Sequence, residues 1–193
     1  NNPLLQYLRD LITQALKTNP LFVSATLPNH IISPFVNRYE NSGAYGNHVD
    51  NSILYDTTVG KNFRTDVSSS LFFTDPDEYE GGEMVIEDTF GLHEVKLPAG
   101  DLILYPSTSL HRVEPVTKGV RMVSFMWTQS MVRSAWKRNI LFELDNTIQV
   151  TKFEKKRKVD NTIQSLRLKY GETQEAVNLS IHYHKLIQEW AEI

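Results

Sequence analysis

From Leu21 to Trp127 the chain runs in short β-rich segments punctuated by Gly, Pro and Asp turns, with Asp75-Pro-Asp-Glu-Tyr-Glu-Gly-Gly82 the clearest loop. A jelly-roll barrel requires this pattern of many short strands, each closed by a turn. Helical patterning flanks it. Asn2 can cap a helix with Pro3 at its first position and an apolar stripe at Leu4, Leu8, Leu11, Ile12 and Ala15. That helix is expected to end by Asn19-Pro20 and to pack against a sheet. After Ser130 the chain turns helical and charged from Val132 to about Lys152, and the basic run Lys155-Lys-Arg-Lys158 leads to two more helices. The expected class is mainly β with flanking helices (α+β): a double-stranded β-helix (jelly roll) over 1–130, carrying an N-terminal helix, then a C-terminal helical extension over 131–193. The chain opens at Asn1 without a methionine, so a fragment or processed form is expected, lacking part of the barrel's first strand.

Composition excludes several kinds of chemistry. The 193 residues suffice for one well-buried core plus an appendage. There is no Cys, so disulfides, thiolate metal sites and cysteine nucleophiles are absent, which is compatible with a reducing compartment. A net charge of −3 gives no long-range pull toward nucleic acid or an anionic membrane. No apolar run approaches a membrane span and no secretory signal is visible. A cytoplasmic enzyme is the expectation.

Within the β-rich stretch stand His48, Asp50, His111 and Arg121. Two neutral imidazoles and a carboxylate can hold a divalent metal on one side and leave its other positions open, as non-haem Fe(II) needs. The His-x-Asp triplet alone is a weak signal. Its aromatic, Gly-punctuated surroundings, Arg38 to Asp50, strengthen it. In a strand, residues i and i+2 share a face, so His48 and Asp50 can reach one metal while Val49 packs behind them.

Further on, Pro98-Ala-Gly-Asp101 reads as a turn and Leu102-Ile-Leu-Tyr105 as a buried strand ending at Pro106. His111 to Val116 and Val120 to Trp127 look like a hairpin about Thr117-Lys-Gly119. With Gly119 left-handed, Val116 pairs with Val120 and His111 with Phe125. Arg121 then shares His111's face, roughly 13 Å along the strand. An arginine there can grip an anionic co-substrate beside the metal through two parallel bonds.

These residues carry a resemblance. His48-x-Asp50, Tyr-Glu-Gly-Gly-Glu83, Pro98-Ala-Gly-Asp101, Tyr-Pro-Ser107, Leu-His111-Arg-Val-x-Pro-Val116, Gly119-x-Arg121 and Trp127 resemble the Fe(II)/2-oxoglutarate-dependent dioxygenases of prolyl 4-hydroxylase type. More narrowly, the chain is similar to the bacterial PKHD-type hydroxylases over about residues 20 to 130, and its closing helices look like that subgroup. The resemblance implies that His48, Asp50 and His111 ligate Fe(II), that Arg121 partners the distal carboxylate of 2-oxoglutarate, and that Tyr39 and Tyr45 lie around the co-substrate. It implies hydroxylation of an unidentified C–H bond on a small molecule or peptide, with release of succinate and CO2, L-ascorbate as reductant, and a link to iron uptake. There is one departure. Many relatives carry a tyrosine on the strand after the His-x-Asp segment. Here that strand reads Ser68-Ser-Ser-Leu-Phe-Phe73, which leaves the second contact to the distal carboxylate unassigned.

Other polar and aromatic residues are read as structural. His30 and His93 are taken as hydrogen-bonded structural histidines, and His182 and His184, two apart on a helix, point to different sides. Arg112, Arg133 and Arg138 are taken as solvated charges or substrate-side contacts, the Lys155 to Lys158 run as a solvated helix face, and Phe72, Phe73 and Trp127 as core. Two competing functions are a non-catalytic metal-binding jelly-roll sensor or scaffold, and a cupin-type metalloenzyme using no 2-oxoglutarate. Arg121 argues against the first. The lack of a suitable third histidine argues against the second. At the C-terminus Ala176, Leu179, Tyr183, Leu186 and Trp190 line one helix face, with Thr173 capping its start. Val159, Ile163, Leu166 and Tyr170 line a preceding helix that Gly171 ends. The two stripes either close on themselves and the barrel or share a seam, centred on Tyr183 and Trp190, with a second subunit in a two-fold homodimer.

Overall fold

Asn2 sets the first element. Its side-chain oxygen accepts the Leu4 amide at 3.0 Å, and Pro3 occupies a position where a missing N–H costs nothing, so α1 spans Pro3–Thr18. The computed structural model describes residues 2–160 and 174–192. The face α1 buries differs from the expected stripe. Ile12 and Leu16 are buried, while Leu4, Leu11 and Ala15 are exposed. Pro20 does not open a strand either; it starts a second short helix, α2 Pro20–Thr26, where its fixed φ suits a helical first turn.

Thirteen strands follow: β1 Pro28–Ile31, β2 Phe35–Tyr39, β3 Tyr45–His48, β4 Ile53–Asp56, β5 Lys61–Arg64, β6 Val67–Phe72, β7 Tyr79–Gly81, β8 Met84–Asp88, β9 Gly91–Val95, β10 Leu102–Pro106, β11 Leu110–Val113, β12 Val116–Gly119 and β13 Arg121–Ser130. Helices α3 Ala135–Asp160 and α4 Gln174–Trp190 complete the described chain. The basic run expected to follow a helix is itself inside α3. Val159 falls at that helix's end, and Ile163, Leu166, Tyr170, Gly171 and Thr173 lie outside the described residues.

Contacts divide the chain into two units, Asn1–Asn19 with Pro28–Ser130, and Pro20–Leu27 with Met131–Ile193. The first holds all the strands among the described residues. Its major sheet has the order β1-β13-β6-β10, with β2 also paired to β13; a second sheet runs β3-β11-β8-β9. β12 pairs with β7, and β4 with β5. All these pairings are antiparallel. The class is α+β with a double-stranded β-helix, as the turn pattern implied. Both sheets line one cavity of about 320 Å³: Tyr39, Ser70, Tyr105 and Arg121 come from the major sheet, Met84 and His111 from the second.

The expected hairpin does not form. β11 pairs with β3 and β8, and β13 pairs with β1, β2 and β6, so His111 and Arg121 belong to different sheets. Pro115 cannot donate to a ladder and sits where β11 stops. The segment read as a turn is part of β12, which pairs with β7. Gly119 is left-handed as expected (φ +74°), but for another reason: a Cβ there would lie 2.2 Å from the Glu78 carbonyl oxygen.

In the second unit Leu27, Val132 and Leu141 are buried, and Met131, Tyr183, Leu186, Ile187 and Trp190 pack against them. Ser24 Oγ donates to Asp145 at 2.5 Å, and Lys137 Nζ lies 5.0 Å from the Trp190 ring centre. Arg138 is not a solvated charge; it is buried and donates to the carbonyls of Val132 and Arg133, each at 2.8 Å. Among the described residues no helix is long and apolar enough to cross a membrane.

Candidate metal centre

Strand register brings the histidines together. His111 of β11 pairs directly with His48 of β3, and their rings sit 4.1 Å apart between centroids. Asp50 lies just past the end of β3 rather than within it, and its carboxylate reaches back to both. Oδ1 is 3.8 Å from His48 Nε2 and Oδ2 is 3.9 Å from His111 Nε2. One ligand atom from each of the three residues falls within 4.8 Å of the others. Val49 does not pack behind them; it is half exposed, because β3 has ended there and no ladder turns it inward.

Proton placement prepares both imidazoles for a cation. His48 Nδ1 is 2.9 Å from the Gly46 carbonyl and His111 Nδ1 is 3.0 Å from that of Ser109. A carbonyl only accepts, so each Nδ1 carries a proton, and in the neutral imidazole Nε2 is then the nitrogen free to ligate a metal. Burial lowers the His111 pKa below its ordinary value, with His48 adding a smaller push the same way; Asp50 and the Ser109 carbonyl oppose it. The donor set thus fits a divalent metal of the non-haem iron kind: two neutral imidazoles, one carboxylate, and a cavity beside them. A cupin-like set needs another histidine, and among the described residues this cluster holds only two.

Arg121 lines the same cavity and is 1% exposed. It pairs across the ladder with Tyr39, whose ring centre is 5.3 Å from the guanidinium carbon; Phe72 lies at 5.2 Å. Nε and Nη1 have no hydrogen-bond partner among the described residues, and neither does the hydroxyl of buried Tyr79. Burial raises the Tyr79 phenol's pKa, and the nearby Arg121 guanidinium pulls it partly back. Gly82 makes their proximity feasible, since a Cβ there would stand 3.0 Å from Arg121 Cδ and 3.1 Å from Tyr79 Cε2. A buried cation without an anion costs several kcal/mol, and an orphaned hydroxyl about 1–3 kcal/mol. A carboxylate entering the cavity would supply the anion that Arg121 lacks.

Of the residues expected around a co-substrate, Tyr39 lines the cavity and Tyr45 sits at its edge, half exposed and edge-on to His48 at 4.5 Å. Trp127, expected in the core, lines the cavity instead, stacked edge-on against Phe35 and Phe125. His30 and His93 do have structural partners, Asp56 at 2.8 Å and Asp88 at 3.0 Å. Sequence reasoning missed three groups: Tyr79; Tyr105, whose hydroxyl is 3.3 Å from His111 Nε2; and Ser68, which bonds Asp50. The only advance signal was their place in motifs quoted without a role, Tyr-Glu-Gly-Gly, Tyr-Pro-Ser and Ser-Ser-Ser.

A jelly-roll cavity with a two-histidine, one-carboxylate cluster and a buried arginine defines a class, the non-haem iron oxygenases with an anionic co-substrate. Comparison with known proteins gives the narrower answer. Residues 34–129 match the 2OG-Fe(II) oxygenase superfamily, and residues 157–192 match the PKHD-type hydroxylase C-terminal domain. A PKHD-type hydroxylase of Aliarcobacter butzleri is 73% identical over all 193 residues, which cover 79% of that relative. Another, from Hyphomonas neptunium, is 51% identical over 95% of this chain and 74% of its own length. A Pseudomonas putida prolyl-4-hydroxylase structure is 22% identical, covering 65% of this chain and 63% of that one, at a TM-score of 0.43, too loose to transfer residue roles. The chain belongs to the PKHD-type hydroxylases, a family of 2-oxoglutarate- and Fe(II)-dependent oxygenases.

Proposed function

We propose that this protein hydroxylates an unactivated C–H bond of a small molecule or peptide, consuming O2 and 2-oxoglutarate and releasing succinate and CO2. The observation that carries the reading is Arg121: a buried guanidinium with no carboxylate partner among the described residues, on the wall of the cavity that holds His48, Asp50 and His111. A bare metal sensor has no use for it.

His48 and His111 would hold Fe(II) through Nε2, and Asp50 would supply the only anionic ligand. When bound there, Fe(II) would supply the redox chemistry that couples 2-oxoglutarate decarboxylation to C–H hydroxylation by O2. The protein's own residues position and shield. Arg121 and the Tyr79 hydroxyl would share the distal carboxylate of 2-oxoglutarate, which makes Tyr79 the second contact that Ser68-Ser-Ser leaves open. Tyr39 confines the guanidinium through its ring. Tyr45, at the edge, faces arriving substrate. L-Ascorbate would restore iron oxidised in unproductive turnover. A cytoplasmic setting and a role in iron uptake belong to the same reading; the absent cysteines are compatible with the first, and family resemblance alone supports the second.

Incubating cell extract with enzyme, Fe(II) and 2-oxoglutarate tests it by mass spectrometry. A product heavier by one oxygen, formed in step with succinate, is expected. Metal binding without succinate formation in any extract leaves the sensor reading in its place.

A further inference from the structure

Asp50 stands beyond the end of β3, so no ladder hydrogen bond fixes its backbone, yet its side chain is only 8% exposed. Something else must aim it. Ser68 Oγ lies 2.5 Å from Asp50 Oδ2, within the range of a charge-assisted O–H···O⁻ bond, and 2.8 Å from Ser107 Oγ. An ionised carboxylate only accepts, so the single Ser68 proton goes to Asp50, and Ser107 must donate to Ser68. Both serines are buried, at 1% and 2% exposure. Ser68 sits on β6, and Ser107 directly follows β10, whose Tyr105 pairs with Ser68. The relay therefore ties the carboxylate to two paired strands of the major sheet while the two histidines stand on the second sheet.

We propose that Ser107 and Ser68 form a positioning relay that holds the Asp50 carboxylate, through the bond to Oδ2, in the orientation in which it would ligate the metal. The proposal rests on the metal-site reading above. It also gives a use to one polar residue of a buried stretch of β6: Ser68 acts on the Asp50 carboxylate, while Ser69 donates to the Met126 carbonyl.

Co(II) titration of the full chain, followed by absorption, tests the relay without relying on turnover. Hydrogen bonds to metal ligands are worth about 10–100-fold in metal affinity. Ser68→Ala is expected to lose that much Co(II) affinity and to alter the Co(II) ligand-field spectrum, with an unchanged circular dichroism spectrum of the metal-free protein. Ser107→Ala, acting only through Ser68, is expected to lose less. The double variant should be no weaker than Ser68→Ala alone. Should Ser68→Ala fail to fold, Ser107→Ala carries the test: it must weaken Co(II) and shift its spectrum. Parent-like affinity and spectrum in the folded variants, or fully additive losses, overturn the relay while the metal site stands. A parent chain that binds Co(II) no better than Asp50→Ala overturns both.

Discussion

At the residue scale, Arg121 and His111 each have a measurable consequence. Arg121 is identified by what it lacks, an anion. Arg121→Lys keeps the charge and loses the planar fork, so 2-oxoglutarate should bind the Mn(II)-loaded protein more weakly; Arg121→Ala should weaken it further, with Mn(II) affinity unchanged in both. Calorimetric titration reads both affinities, and an unchanged 2-oxoglutarate affinity in the alanine variant assigns the anchor elsewhere. His111 carries a pH dependence. Burial depresses its pKa below 6.5, so the unfolded chain takes up a proton before the folded one does. Its contribution to metal-free stability is complete above that value and is lost as pH falls through the folded pKa. Denaturant midpoints at pH 7.5 and below 6 should show the fall, and His111→Asn should show less of it. Equal falls in parent and variant contradict the assignment. The sequence exposed His48, Asp50, His111 and Arg121 because metal and anion sites draw on few residue types. Tyr79 and Ser68 stayed hidden, since a phenol and a hydroxyl are common and only burial without a partner, or contact with Asp50, gives them meaning.

Among elements, some local signals are legible in the sequence, while the buried face of α1, the start of α2 at Pro20, the strand at Val116–Gly119 and the long-range pairings are not. The Asn2 cap, the 98–101 turn and β10 are encoded within a few residues, and all three are present: Asp101 N donates to the Pro98 carbonyl at 3.1 Å, as the turn requires. The pairing of β11 with β3, from far upstream, leaves no local mark, so adjacency suggested a hairpin with β13. Arg121 still meets the cavity, by a route the hairpin did not supply. Gly119 offers the test at this scale. Gly119→Ala adds a Cβ 2.2 Å from a carbonyl oxygen at a left-handed φ, where backbone rather than a flexible tip must yield. Destabilisation of more than about 2 kcal/mol, or failure to accumulate as folded protein, is expected. A melting temperature equal to the parent's contradicts the register of β12 against β7.

On the scale of the whole molecule, His48, Asp50, His111 and Arg121 all belong to the unit that contains the described strands, and α3 and α4 belong to the other. The apolar stripe of α4 was readable from its spacing; what it packs on was not, because Leu27, one of its partners, comes from the far end of the chain. Removing residues 172–193 would uncover Leu27, Val132 and Leu141. Lower solubility or a changed assembly state in sedimentation is expected, with metal binding retained. Tyr183 and Trp190 are partly occupied by packing inside their own unit, so a two-fold seam must use what that packing leaves exposed. A truncated chain as soluble and monomeric as the parent rules the seam out.

The proposed function requires one cavity to hold the metal and the 2-oxo acid together. Anaerobic addition of Fe(II) and 2-oxoglutarate tests it directly, because the visible charge-transfer band of a 2-oxo acid chelated to Fe(II) requires both on the same site. The parent is predicted to develop that band only when both are present, Arg121→Ala only at much higher 2-oxoglutarate, and Asp50→Ala not at all. No band in the parent at saturating concentrations of both, or an undiminished band in Asp50→Ala, would contradict the account.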